Sequence, residues 1–336
     1  MKKFNSILIV GVGSIGRRHF SIFKKYFSKI DLCDSNLNRC MFVKNNHKNI
    51  VEKVGVNFEK MINEKKYEVV CITTPPHLHL KIAKLAIKRK MNIFIEKPLG
   101  MNNKGWKEIS NNCNKNKLVN FVAYCHRFIP YTETLIKILK NKTIGKVLFV
   151  NMRWGSYLPD WHPYEDYRSF YMSKKSQGGG ALMDESHGID LLRYLFGEVK
   201  SVYADVKNIS DLELSSDDTT LLTLDFLNGA SCQANFDLTS RYPRVSLEIV
   251  GSKGNIIWDR IEPNIKIFSI KDKKWKIKKF TKEDTLRMYD NQAKYFINLL
   301  KSRKVKNFLN IEDAMKTQRI IDKSFLSSKQ KKKLNL

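Results

Sequence analysis

The chain has 336 residues, 42% of them apolar and 28% charged, with a formal net charge of +28. That length exceeds what one hydrophobic core usually serves, so two domains are expected; no apolar run approaches the roughly 20 residues of a membrane helix. Lysine, asparagine and isoleucine are abundant along the whole chain, so the basic excess reads as a solvated surface, and no helix-turn-helix or aromatic-basic pattern points to a nucleic acid as partner.

Residues 6–10, Ser-Ile-Leu-Ile-Val, form a strand that runs into a glycine turn, too short for a signal peptide and without a cleavage site. A helix is expected over 14–27, strands near 29–33 and 50–54, and a helix over 36–46 between them. The apolar runs at 68–72 and 92–95 are buried strands, with helices at 77–89 and 102–115 and a strand at 118–123. Alternating strands and helices define an α/β, doubly wound parallel sheet over residues 1–125. Residues 126–336 read differently: a helix at 131–141, a strand at 146–154, a long aromatic loop at 155–172 and a helix at 181–196. Strand candidates then follow one another at 198–207, 218–226, 230–238, 244–250 and 254–259, which makes an α+β domain with an open, mainly antiparallel sheet. Helices at 285–302 and 311–328 follow, and the lysine-rich terminus reads as a frayed tail. The six cysteines, at 33, 40, 71, 113, 125 and 232, form no C-x-x-C pair. Scattered thiols fit a reducing cytoplasm, and without a Cys/His cluster at ligand spacing no metal is expected.

Gly11-Val12-Gly13-Ser14-Ile15-Gly16 follows the first strand and opens the first helix. The first glycine serves the tight turn, the second the approach to a pyrophosphate, the third the packing of helix on strand. The phosphates would rest on free N–H groups at the helix start. Asp34 closes the second strand, 18 residues after Gly16, where a carboxylate can bind the adenosine ribose. It favours NAD, since it would repel a 2′-phosphate; Arg17 and Arg39 keep NADP as an alternative.

Four further motifs follow in order: Thr73-Thr74-Pro75-Pro76-His77-Leu78-His79, then Glu96-Lys97-Pro98, then Tyr124-Cys125-His126-Arg127-Phe128-Ile129-Pro130, and finally the run from Gly178-Gly179-Gly180 through Asp184, His187 and Asp190. This series resembles the glucose–fructose oxidoreductase / inositol dehydrogenase / rhizopine-catabolism (Gfo/Idh/MocA) family over nearly the whole chain. The loop from Gly155 to Arg168 is similar to a subgroup associated with surface-polysaccharide or nonulosonic-sugar pathways. The resemblance implies cofactor contacts from Thr73, Thr74, Pro75, His79, Glu96 and Lys97, with Gly11, Gly13, Ser14, Ile15, Gly16 and Asp34. For His79 a helix-packing role is the equal alternative.

Lys97 ends a parallel strand, and its ammonium would orient a substrate hydroxyl and favour the developing alkoxide. His187, with Asp184 three residues before it on the same predicted helix, would manage the proton. The family more often places its aspartate four residues before the histidine, where this chain has Met183. Arg127 is expected to bind substrate or to bridge domains. Trp161, His162 and Arg168 are expected to bind a carbohydrate, through aromatic stacking and through donors suited to an anionic sugar. The expected enzyme is therefore an NAD(P)-dependent oxidoreductase acting on a sugar, sugar acid or sugar nucleotide. It is expected to be a homodimer or homotetramer, without membrane or nucleic-acid partners. An NAD-retaining lyase or glycosidase, and a non-catalytic sugar or NAD sensor, are the alternatives.

Overall fold

The structure is a computed structural model that describes residues 3–161, 163 and 165–336; His162 therefore lies outside the described residues. The chain divides into two compact units. The first runs to Tyr124 and includes Tyr289–Lys316, and the second comprises Cys125–Met288 with Thr317–Leu336.

The first unit begins with β1 (Phe4–Val10), α1 (Ser14–Phe23), β2 (Phe27–Cys33), α2 (Leu37–Asn46) and β3 (Val51–Gly55). It continues with α3 (Phe58–Glu64), β4 (Val69–Ile72), α4 (Pro76–Lys88), β5 (Asn92–Ile95), α5 (Trp106–Lys115) and β6 (Asn120–Val122). The seven-residue α3 escaped the sequence reading; it is too short to show a helical period, and its only signal is the Asn57 cap, whose side chain accepts from the Lys60 amide. The strands lie in the order β3-β2-β1-β4-β5-β6, every pair parallel. The order reverses between β1 and β4, so the carboxyl ends of those two strands mark the crevice where ligands of such sheets bind. Ile7, Leu8 and Ile9 of β1 and Val69 through Ile72 of β4 are fully buried, as expected for strands covered on both faces.

The second unit opens with a 3₁₀ turn (Cys125–Phe128), α6 (Pro130–Lys140) and β7 (Val147–Gly155), followed by four 3₁₀ turns among the described residues between Leu158 and Gln177. Next come α7 (Ala181–Asp184), α8 (Ser186–Phe196), β8 (Val199–Lys207), β9 (Thr219–Phe226), β10 (Ser231–Asp237), β11 (Arg244–Gly251) and β12 (Gly254–Asp259). Two further strands, β13 (Asn264–Ser269) and β14 (Trp275–Lys279), extend the sheet. Both were missed in sequence, because Lys266, Lys276, Lys278 and Lys279 interrupt the apolar signal. The chain ends with α9 (Lys282–Ser302), α10 (Ile311–Gln330) and β15 (Leu334–Asn335). The nine-stranded sheet runs β14-β13-β12-β11-β7-β10-β9-β8-β15. It is antiparallel except where β10 pairs parallel with β7. The terminus is not a frayed tail: Leu334 and Asn335 pair with Val202 and Ser201 of β8.

Residues from α9 return to the first sheet for a physical reason. Phe296 is fully buried and its ring lies 5.2 Å from Phe94, 5.7 Å from Phe121 and 6.2 Å from Phe23. The segment after α9 then caps the edge strand β6. The Val122 amide donates to Leu309 O at 2.8 Å, and Asn120 Oδ1 accepts from the Ile311 amide at 2.8 Å. An edge left open would present unpaired backbone groups.

Candidate active site

The turn after β1 is shaped by its glycines. Gly11 has φ +98°, a left-handed conformation that favours glycine. A Cβ at Gly16 would overlap the Gly11 carbonyl oxygen, whereas one at Gly13 would meet no protein atom within 4 Å. Two glycines therefore serve the fold, and Gly13 leaves its backbone open to a ligand, as a pyrophosphate requires. Ser14 and Ile15 open α1 with their backbone N–H groups at the helix start. Asp34 sits at the carboxyl end of β2 with one oxygen accepting from the Val12 amide at 2.6 Å and the other from the Asn36 amide at 2.9 Å. Its carboxylate is thus fixed against the glycine turn.

Thr73 turns inward, its hydroxyl lying 2.6 Å from Gly11 O and 3.0 Å from Val10 O. Its hydroxyl braces the turn and is buried. Thr74 differs: its Oγ1 is buried with no hydrogen-bond partner among the described residues. Such a group is costly unless something pairs with it. The open backbone at Gly13, the anchored Asp34 and the orphan Thr74 hydroxyl together fit a dinucleotide.

His79 is fully buried, its Nε2 2.7 Å from Thr74 O and its Nδ1 3.1 Å from Pro98 O. Burial lowers its pKa, against the raising effect of the carbonyls around it. Both ring nitrogens face backbone carbonyl oxygens, one from each of two turns. His79 therefore ties the turn after β4 to the turn after β5 and positions both, so direct cofactor contact gives way to the packing alternative. Pro75 precedes α4 and sets the chain's exit from β4.

Glu96 also faces inward. It is buried, and His19 Nε2 donates to its Oε1 at 2.6 Å while the Lys97 amide donates to Oε2 at 3.1 Å. The cofactor role expected of Glu96 is replaced by a bracing one: it locks the backbone from which Lys97 departs. His19 was missed in sequence; its one signal is its place beside Phe20 and Phe23 on the buried face of α1. Lys97 itself is half-buried and joined to Pro98 by a cis peptide bond.

In the second unit the predicted helix over 181–196 is broken at Glu185 (φ −82°, ψ 19°). Asp184 ends α7 and His187 lies in the first turn of α8, so the two do not share one continuous helix face. Asp184 Oδ1 accepts from the Tyr171 hydroxyl at 2.7 Å. Tyr171 is a residue the sequence did not single out. His187 lies against His126 at 4.6 Å between ring centroids and stacks on Trp154 at 6.4 Å and 15°. The Cys125 sulfur is 3.9 Å from His187 Nε2. α8 reaches the sheet through Gly188, where a Cβ would lie 2.6 Å from the Phe236 ring.

Arg127 is not available for a substrate. It is buried, donates from Nε to Asp190 Oδ2 at 2.7 Å and from Nη2 to Oδ1 at 2.5 Å, and lies 4.7 Å over the Tyr194 ring. The fork matches the carboxylate, a pairing of two residues 63 apart that no local spacing announces. In the loop, Trp161 Nε1 donates to Ser156 Oγ at 2.7 Å. Arg168 is exposed and paired with Asp166 and Glu213 at 3.0 Å each.

Asp217 holds the start of α7: its carboxylate accepts from the Leu182 amide at 2.8 Å and the Thr220 hydroxyl at 3.3 Å. Burial, reinforced by the neighbouring Asp218 carboxylate, raises its pKa from 3.8 to about 6. The folded state thus holds this proton longer than the unfolded chain. The group's stabilising contribution is complete below 3.8 and lost as pH rises through about 6. Asp217→Asn is expected to raise stability at neutral pH and to flatten the stability profile across that window. Denaturation midpoints measured at a series of pH values check this, and a profile parallel to that of the unaltered protein would contradict it.

A parallel sheet reversing at β1 and β4, with a glycine turn open at Gly13 and a fixed carboxylate at Asp34, defines a dinucleotide-binding oxidoreductase domain. Residues 5–124 match the model described as the oxidoreductase family, NAD-binding Rossmann fold, and residues 132–257 match the GFO/IDH/MocA C-terminal domain. The chain belongs to the Gfo/Idh/MocA oxidoreductase family, and its first unit is an NAD-binding Rossmann domain. It is 29% identical over 229 residues to levoglucosan dehydrogenase from Pseudarthrobacter phenanthrenivorans, a match covering 60% of this chain and 58% of that protein. It is 26% identical over 264 residues to myo-inositol 2-dehydrogenase from Thermotoga maritima, covering 75% of each. Among solved structures, the WlbA dehydrogenase from Bordetella pertussis in complex with NADH and UDP-GlcNAcA superposes with a TM-score of 0.82 at 19% identity, covering 100% of this chain and 99% of that one. That likeness is one of fold.

Proposed function

We propose that the protein is an NAD(P)-dependent oxidoreductase that moves a hydride between a nicotinamide cofactor and a hydroxyl of a sugar, sugar acid or sugar nucleotide. One observation carries the reading. The glycine turn, the Thr73–Pro75 turn and the Glu96–Pro98 turn close three adjacent parallel strands, β1, β4 and β5, at their carboxyl ends. Ligands bind at that edge of such a sheet. The relatives named above are dehydrogenases of carbohydrate or polyol substrates by name, which supports the substrate class.

The backbone at Gly13 and the start of α1 would hold the pyrophosphate, Asp34 the adenosine ribose, and Thr74 the nicotinamide side. When bound, the nicotinamide supplies the hydride acceptor. Lys97 orients the substrate hydroxyl and stabilises negative charge on its oxygen as the hydride leaves. His187 takes the hydroxyl proton. Asp184, steadied by Tyr171, orients substrate or imidazole. Trp161 offers an aromatic face to a sugar ring, and Arg168 a donor to an acidic group. Asp34 favours NAD over NADP, since a 2′-phosphate beside it meets like charge.

The experiment is a panel of sugars, sugar acids and sugar nucleotides incubated with the purified protein and NAD, followed by NADH absorbance. Net NADH from one class is expected. Cofactor that stays bound with no net NADH would oppose this reading and favour internal recycling of the cofactor.

The glycine turn gives a paired prediction. Gly16→Ala should destabilise the fold by about 1–3 kcal/mol, because its Cβ overlaps backbone. Gly13→Ala should leave the melting temperature unchanged and weaken NADH binding by on the order of tenfold. Thermal melts and NADH fluorescence titrations of both variants decide it; equal stability losses would contradict the division of roles.

No described helix is long and apolar enough to cross a membrane, and all six cysteines are buried thiols, which supports a cytoplasmic enzyme. Phe149, Tyr203 and Leu221 on one face of the second sheet are each more than 40% exposed, which supports a homodimer or homotetramer formed through that face. Light scattering of the purified protein gives the mass; a monomer at micromolar concentration would oppose it.

A further inference from the structure

Sequence spacing gave no metal-ligand set, because a local pattern cannot see residues 62 apart. Folding brings one together inside the second unit. Cys125 and His126 lie on the short 3₁₀ turn that opens this unit, and His187 lies on α8, which packs against that turn. One ligand atom from each of the three residues falls within 4.8 Å of the others. The sulfur is 3.9 Å from His187 Nε2. Tetrahedral zinc, with Zn–S near 2.3 Å and Zn–N near 2.0–2.1 Å, would place its ligands about 3.5 Å apart. The cluster therefore needs to close by up to about 1.3 Å, within reach of side-chain rotation.

We propose that Cys125, His126 and His187 form a binding site for a thiophilic divalent transition metal, zinc foremost, with a fourth position left to water or a ligand. The donor chemistry selects the metal. One thiolate and two imidazoles suit zinc and cobalt, and offer nothing to magnesium or calcium, which need oxygen. Cys125 and His126 are each 3% exposed, and His187 is more open and gives the entry. Trp154 tilts against His126 and stacks on His187, which keeps both rings in place. Coordination replaces the thiol S–H bond with a sulfur–metal bond, and the proton passes to solvent. The other thiols belong to no such cluster among the described residues. Burial raises those of Cys33, Cys40, Cys113 and Cys232 to about 12 and that of Cys71 well above its ordinary value.

The consequence for turnover rests on the proposed function. Metal on His187 would occupy the imidazole that accepts the substrate proton, so zinc would inhibit the enzyme while NADH binding at the first unit persisted. The site itself does not depend on that reading and is tested without it.

The test is a titration of chelator-treated, full-length protein with Co²⁺. One equivalent should produce visible ligand-field bands and a near-ultraviolet thiolate-to-cobalt charge-transfer band, and Zn²⁺ should abolish both. Cys125→Ser should lose the charge-transfer band, and His126→Gln should bind Co²⁺ about tenfold or more weakly. In parallel, one equivalent of Zn²⁺ should protect Cys125 of the unaltered protein from alkylation, mapped by mass spectrometry, which answers the question even if a variant fails to fold. No charge-transfer band, a band that persists in Cys125→Ser, or alkylation of Cys125 at the same rate with and without zinc would overturn the site. If cobalt binds as described but zinc leaves turnover intact, the site stands and the proton role of His187 falls.

Discussion

Replacing Lys97 with alanine is expected to lower turnover by about 10²–10³-fold while NADH binds within about threefold of its original affinity. Removing a hydride from a C–OH group leaves charge developing on oxygen, and a cation aimed at that oxygen acts most strongly in the transition state. The backbone that presents Lys97 is unusually well held. Its amide donates to Glu96, and Glu96 is clamped by His19 from the helix that follows the glycine turn. His79 fixes the same turn from the other side through the carbonyl of Pro98. These braces are independent of the lysine side chain, so the alanine variant should fold and bind cofactor normally. Stopped-flow NADH formation together with NADH titration separates the two quantities. A variant that kept full turnover would remove Lys97 from the chemistry.

Arg127→Met is expected to cost about 3–5 kcal/mol of stability, the range for breaking one side of a buried ion pair. The pair is almost completely enclosed, with side-chain exposures of 2% for Arg127 and 1% for Asp190. Loss of the guanidinium would leave Asp190 with the Thr317 hydroxyl at 3.0 Å and Arg193 at 3.7 Å. Arg193 offsets part of the deficit, which places the expected cost at the lower end of the range. Arg127→Met combined with Asp190→Leu should recover most of the loss, because a buried pair replaced by apolar groups is often near neutral. Urea denaturation of the single and double variants measures both effects. If Arg127 instead bound substrate, Arg127→Met would raise KM and leave the denaturation midpoint where it was.

The fold and the NAD-binding character of the first unit were legible in sequence because their signals are local. The G-x-G-x-x-G turn, the buried runs at 6–10 and 68–72 and the carboxylate closing β2 each lie within a short stretch of chain. What was not legible depends on pairing at a distance. Arg127 looks like a substrate ligand until Asp190 is seen to take its fork. Glu96 and Thr73 sit in motifs that suggest cofactor contact, yet each turns inward to His19 and to the glycine turn. The single helix expected over 181–196 ignored a break at Glu185, since both flanking segments carry helical patterns. The charged strands β13 and β14 lack the apolar alternation that betrays a strand, and they are recognised only as additions to a sheet nucleated elsewhere. Phe296 shows the same limit for domain organisation, as an aromatic far along the chain completes the core of the first sheet.

The proposed function has the Lys97 amine and the His187 imidazole act on one and the same hydride-transfer step. The most direct measurement is the single-turnover rate of NADH formation for Lys97→Ala, His187→Ala and the double variant, with a sugar that supports turnover. Groups acting on one step are strongly non-additive, so the double variant should be about as slow as the slower single variant. Losses that multiply, or a His187 variant as fast as the unaltered enzyme, would contradict the account.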